Sequence, residues 1–162
     1  MKKLVLAAAV FCAFVSSSFA KDFNVPPKDP VMKVTIPSTW KVNEIDYGYN
    51  TESPDGQVYF YIEYATGRRV DKMLDNNTAW MTENKIVPKG KPTESDITIA
   101  GLPAHLLHFD ATYPEGDTMV DFVLIGAGEK SLVMLTLWAN EKELKDNEAD
   151  IASIESSIKA LK

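Results

Sequence analysis

Gln57-Val58-Tyr59-Phe60-Tyr61-Ile62-Glu63-Tyr64-Ala65 is an aromatic and aliphatic run with apolar residues at both odd and even positions. In an extended chain successive side chains point to opposite faces. Val58, Phe60, Ile62 and Tyr64 therefore share one face, and Gln57, Tyr59, Tyr61 and Glu63 share the other. Both faces are partly apolar, which suits a strand covered on both sides. Leu132–Trp138 repeats the pattern, with Leu132, Met134 and Trp138 opposing Val133, Leu135 and Leu137. Val120–Ile125 does so again, with Val120, Phe122 and Leu124 opposing Asp121, Val123 and Ile125. A sheet with one wet face would alternate more cleanly. These segments read as central strands between two covering layers.

The flanking sequence supplies the rest of the sheet. Ser53-Pro54-Asp55-Gly56 is a turn that launches the strand at Gln57. Upstream, Val31–Ile36 alternates and is stopped by Pro37, and Lys41–Tyr47 reads as a weaker strand. Downstream, Ser95–Ala100, Ala104–Tyr113, Thr118–Ile125 and Ser131–Ala139 are separated by turn residues and read as consecutive hairpins. Two stretches carry helical spacing. Val70–Ile86 places Val70, Met73, Leu74, Asn77, Trp80 and Met81 on one stripe. Glu141–Leu161 opens with Asn140 and Glu143 in a capping-box arrangement, and Asp146-Asn147 can kink or restart it. The order strands, helix, strands, helix predicts an α+β fold. Its expected form is a central antiparallel β-sheet flanked by helices on both faces, a three-layer α-β-α sandwich.

The start of the chain reads differently. Met1–Ala20 has Lys2 and Lys3, an apolar run Leu4–Val15, and a small-x-small site at Ser18-x-Ala20. This is the pattern of a bacterial signal peptide cleaved after Ala20. Cys12 follows Phe11, too bulky for a lipoprotein cleavage site, so no lipid anchor is expected. Lys21–Pro30, with Pro26, Pro27 and Pro30, reads as an extended leader. Residues 31–162 then form one domain. Cleavage removes the single cysteine and two of the 17 basic residues, leaving 15 against 23 acidic ones, a net charge of −8. Neither a nucleic acid nor an anionic membrane surface is expected as a partner, since both reward basic patches. No later apolar run approaches the roughly 18 residues of a membrane-spanning helix. A periplasmic or secreted protein is expected.

One string points to a family. Val34-Thr35-Ile36-Pro37-Ser38-Thr39-Trp40, a strand ending in Ile-Pro-x-x-Trp and followed by an aromatic strand after Asp-Gly, resembles the opening of PsbP-like domains. The mid-chain helix, the element Ile99-Ala100-Gly101-Leu102-Pro103-Ala104 and the closing Ile154-Glu155-Ser156-Ser157-Ile158-Lys159 resemble the family in the same order. The resemblance covers about Pro30 to Lys162 and extends to the Mog-type Ran-binding proteins and bacterial DcrB-like envelope proteins. It implies a central antiparallel sheet flanked by helices. It also implies a role in binding or assisting other proteins, with no shared catalytic motif and no cofactor.

The chemistry-bearing residues are few. His105 and His108 are the only histidines, and on a strand they point to opposite faces, so they do not share a metal. His108 and Asp110 share a face and could orient a base in a small hydrolase, but no Gly-x-Ser-x-Gly elbow accompanies them. Gly126-Ala127-Gly128 reads as a hairpin turn rather than a phosphate loop. Arg68 and Arg69, the only arginines, could clamp a carboxylate or phosphate. Tyr47, Tyr49, Tyr59 and Tyr61 cluster near the first hairpin and are candidates for a binding surface. The reading that follows is a non-enzymatic binding or accessory protein of the envelope, without metal or cofactor. Its partner is another envelope protein or a small apolar ligand. The alternatives are the His108/Asp110 hydrolase and a structural envelope component.

Overall fold

A computed structural model describes residues 20–161. The signal-peptide expectation, Cys12 included, lies outside the described residues except for its last residue, Ala20. Eleven strands and three helices follow in the order β1 (Ala20–Val25), β2 (Met32–Pro37), β3 (Lys41–Ile45), β4 (Gly48–Glu52), β5 (Tyr59–Thr66), α1 (Arg69–Glu83), β6 (Val87–Pro88), β7 (Thr93–Ile99), β8 (Leu102–Tyr113), β9 (Gly116–Gly126), β10 (Ser131–Ala139), α2 (Glu141–Asp146), α3 (Glu148–Ser156) and β11 (Lys159–Ala160). The main sheet runs β3-β4-β5-β10-β9-β8, antiparallel throughout, with β6 and β7 both paired to β8. A second, three-stranded sheet has the order β1-β2-β11.

The two-sided strands lie at the centre as their pattern requires. On one face of β5 and β10, Val58, Phe60, Ile62, Val133, Leu135 and Leu137 are buried in the larger core. On the other, Ala65 and Met134 are buried with Val120 and Phe122 of β9 and Met73 and Met81 of α1. The register sets Ile62 opposite Leu135 and Phe60 opposite Leu137, so large side chains meet across the strands.

The covering layers differ from the expected sandwich. Helices do not flank both faces. One face is covered by α1 alone. The other is covered chiefly by the small sheet, whose Val25, Met32, Val34 and Ile36 point into the larger core. The physical reason is that two-sided burial requires an apolar cover but does not specify its kind. Met32, Val34 and Ile36 alternate with half-exposed residues, so one face of β2 covers the main sheet as a helix would. Residues 21–25, expected as part of an extended leader, pair along their length with β2, as does Ala20 before them. The closing helix breaks at Asn147, and its second half, α3, lies beside β2. The capping box at its start is present: Asn140 accepts from the Glu143 N–H at 2.9 Å, and Glu143 accepts from the Asn140 N–H at 2.7 Å.

The motif residues around Trp40 hold α3 in place. The Trp40 Nε1 donates to Asp150 of α3 at 2.8 Å. The Thr35 N–H donates to the Ser157 hydroxyl at 2.8 Å, and that hydroxyl lies 3.2 Å from the Thr35 carbonyl. The opening strand and the closing helix are thus fastened to each other.

Gly48 fixes the first hairpin against β5. A Cβ added there would sit 1.9 Å from the Ile62 carbonyl oxygen, which belongs to the backbone and cannot swing away. Gly48→Ala is therefore expected to cost about 2–3 kcal/mol, at the upper end for an overpacked site. Equilibrium denaturation should show it as a lowered midpoint with an unchanged slope.

Candidate functional site

A groove opens where β4 ends. The tip of the β3–β4 hairpin, Asp46 and Tyr47, lies beside the last residues of β5, and Arg69 at the start of α1 shares the same lining. The Tyr64 N–H donates to the Tyr47 carbonyl at 3.0 Å, which pins the tip. One lobe of about 770 Å³ is lined by Lys28, Asp29, Glu44, Asp46, Tyr64 and Thr66, among others. The adjoining lobe, about 560 Å³, is lined by Glu63, Lys72, Met73 and Asn76 together with the shared residues. Ile45, Asp46, Tyr47, Tyr64, Ala65 and Arg69 line both. Arg69 lies over the Tyr47 ring, 4.6 Å from its centroid. A cation in that position is attracted by the electron-rich face of the ring.

The structure brings together only part of the expected binding set. Tyr47 is 43% exposed and meets Arg69 at the groove, so two candidates from separate elements converge there. Arg68 is exposed beside it, just before α1, and does not line the groove. Tyr49 is 8% exposed and packs edge-on against Phe23 of β1, so it belongs to the core. Tyr59 and Tyr61 fall on the α1 face of β5. Tyr59 stacks on Trp138 at 4.9 Å, and Tyr61 meets Trp80 at 5.3 Å. Both are half-buried within this aromatic cluster and do not present the open rings expected of a docking surface.

Reading residue types alone missed Glu63. Its carboxyl is half-buried at the floor of the second lobe and accepts from the buried Asn77 Nδ2 at 2.7 Å. Asn77 also donates to the Met73 carbonyl at 3.0 Å and accepts from Thr136 at 3.1 Å. Burial pushes the Glu63 carboxyl above the usual range, and the Asn77 bond only partly opposes it. The available signal was Asn77 itself, a polar residue inside the apolar stripe of a helix, where a buried partner is needed.

The two histidines lie on opposite faces of β8, and both are held by carboxylates. His105 is exposed, with Nδ1 3.0 Å from Asp96 and Nε2 3.4 Å from Glu94. His108 is half-buried, with Nε2 3.5 Å from Asp110, the partner read from the sequence. Its nearer partner is Asp121 on β9, 2.6 Å from Nδ1, placed directly opposite by the strand register. Burial works against the charged imidazole. The hydrogen bond and charge of Asp121, with those of Asp110, outweigh it and raise His108 above its usual value. Asp121 and Glu155 of α3 are each pushed up by burial.

Comparison with solved structures identifies the architecture. The solution structure of cyanobacterial PsbP (CyanoP) from Synechocystis sp. PCC 6803 superposes at a TM-score of 0.58, with 8% identity, over 92% of this chain and 96% of that one. The fold is PsbP-like. A crystal structure from Bacteroides thetaiotaomicron VPI-5482 also superposes at 0.58, with 14% identity, over 88% of this chain. The chain spans about half the length of that protein, 48% of it. LpqN of Mycobacterium tuberculosis, a protein involved in cell envelope biogenesis, gives 0.49 with 15% identity over 86% of this chain and 90% of its own. No family model and no curated protein sequence matches the chain. On this PsbP-like frame the groove sits at the rim of the main sheet. No helix among the described residues is long and apolar enough to cross a membrane.

The histidine geometry sets a pH dependence. The His108 pKa is higher folded than unfolded, so its stabilisation is full below the unfolded value of 6.5 and is lost as pH rises through the folded value. A histidine NMR titration should place His108 above 6.5. Stability curves of the parent and His108→Gln should differ most at acid pH and converge at alkaline pH; parallel curves would remove the assigned role.

Proposed function

We propose that this chain is an exported, non-catalytic binding protein of the bacterial cell envelope that engages a partner protein through the Tyr47–Arg69 groove. The observation that carries the reading is the convergence of an exposed tyrosine and an arginine, 4.6 Å apart, over an open groove with a fixed floor. Tyrosine and arginine are the residue types that most often dominate binding energy at protein interfaces. The hairpin tip is held by the Tyr47–Tyr64 backbone bond and by the close packing of Gly48. A preorganised tip loses little freedom on binding. Charged side chains crowd the lining, which favours a protein segment over a small apolar ligand.

The hydrolase alternative is disfavoured by the state of His108. A general base needs a free lone pair near neutral pH. Carboxylates face both ring nitrogens and hold the imidazole in its protonated form to higher pH. Export rests on the Lys2-Lys3 start, the apolar run and the Ser18-x-Ala20 site. Net acidity of the chain disfavours nucleic acid as a partner.

The test is quantitative capture from the native envelope fraction. Tyr47→Ala and Arg69→Ala, each checked for an intact fold, should retain the partner about 5- to 30-fold less well, the effect of losing 1–2 kcal/mol at an anchor. Lys85→Ala, on an exposed residue beyond α1, should leave capture unchanged. Equal retention by all three variants would end the assignment of the groove.

A further inference from the structure

Resting on that reading, we infer that the groove receives an extended segment of the partner protein whose neighbouring side chains alternate in charge. The floor is a strand edge. β4 pairs with β5 only as far as Gly48 opposite Glu63, and the Tyr47 carbonyl takes the next N–H, that of Tyr64. Beyond this point Ala65 and Thr66 pair with β10 on one side and, among the described residues, with no strand on the other. A segment lying along the floor would therefore continue the line of β4. That is the geometry in which an added strand is held by backbone bonds and read by its side chains.

The side chains that would do the reading are charged, and their signs come from different elements. Glu44 and Asp46 belong to β3 and the hairpin tip, whereas Arg69 and Lys72 belong to α1. None of these four takes part in an ion pair among the described residues, where the bridges use Lys33, Lys41, Lys89, Lys142 and the histidines. The floor carboxyl of Glu63 is engaged by Asn77. Carboxylates on the hairpin and cations on the helix are thus not neutralised by ion pairs with each other, and Lys28 and Asp29 of the β1–β2 loop add one charge of each sign to the first lobe.

An extended segment sends successive side chains to opposite sides. A Lys-Glu alternation therefore turns all its ammonium groups to one side, toward Glu44 and Asp46, and all its carboxylates to the other, toward Lys72 and Arg69. The same residues in two blocks would put both signs on both sides. Complementary charge of this kind selects orientation and register more than it adds raw affinity.

The probes are two acetylated, amidated peptides of the same composition and about 12 residues, one alternating Lys and Glu, the other with six Lys followed by six Glu. Each is titrated into the full chain labelled with ¹⁵N. The alternating peptide should move the amide resonances of Asp46, Tyr47, Ala65, Arg69 and Lys72. It should bind at least about fivefold more tightly than the block peptide, since each exposed pair contributes up to about a factor of five. Lys72→Glu, on the exposed face of α1, should erase that preference. Equal binding of the two peptides at the groove would overturn the inference while the groove stands as a docking place. Failure of the alternating peptide to perturb the groove would overturn it too. If Tyr47→Ala still lowers capture of the envelope partner, that failure falls on the charge pattern alone.

Discussion

The pairing of β5 with β10 is the constraint from which the rest follows. Both strands bury both faces: Phe60, Ile62, Leu135 and Leu137 on one side, Ala65 and Met134 on the other. A fully buried aliphatic or aromatic side chain contributes roughly 1.5–3 kcal/mol, so neither face can be left wet. One cover is a single helix, α1, with Met73 and Met81 turned inward. The other is a second sheet fastened through Trp40, Thr35, Asp150 and Ser157 to the closing helix. The groove lies where this covering stops. The end of β5, Ala65 and Thr66, runs past β4 and lines the groove between the hairpin tip and α1.

The PsbP-like frame also explains why charged groups gather at the rim. Inside the cover, polar groups need fixed partners, and Asn77 finds them in Thr136, Glu63 and the Met73 carbonyl. At the rim, Glu44, Asp46, Arg69 and Lys72 are exposed and, among the described residues, in no ion pair. His108 is an intermediate case, half-buried and held between Asp121 and Asp110. There the hydrogen bonds and charge of the two carboxylates favour the protonated imidazole against the cost of burial.

Much of this was legible in the sequence because it depends on short-range rules. Alternation located β5, β9 and β10, turn residues separated the hairpins, and Asn140, Glu143 and Asn147 marked the start and break of the closing helix. Long-range choices were not legible. Alternation in Met32–Ile36 is the same whether that strand joins the main sheet or covers it, so the second sheet went unseen and helices were expected in its place. Register is equally hidden: Asp121 meets His108 only because β8 and β9 align in one particular way. Tyr59 and Tyr61 were grouped with Tyr47 and Tyr49 as surface candidates, because only the position of α1 decides that their face is covered. Tyr47 and Arg69 were each singled out by residue type, and their meeting depends on the tip pairing beside the end of β5.

The hairpin tip and the start of α1 are proposed to form one recognition surface for an envelope partner. Site-specific photo-crosslinking in intact cells tests it most directly, with a photoreactive residue introduced at Tyr47 and, as control, at Lys85. A discrete adduct is expected from position 47, lost when Arg69 is replaced by Ala, and none of that adduct from position 85. The same adduct pattern from both positions, unaffected by Arg69→Ala, would contradict it.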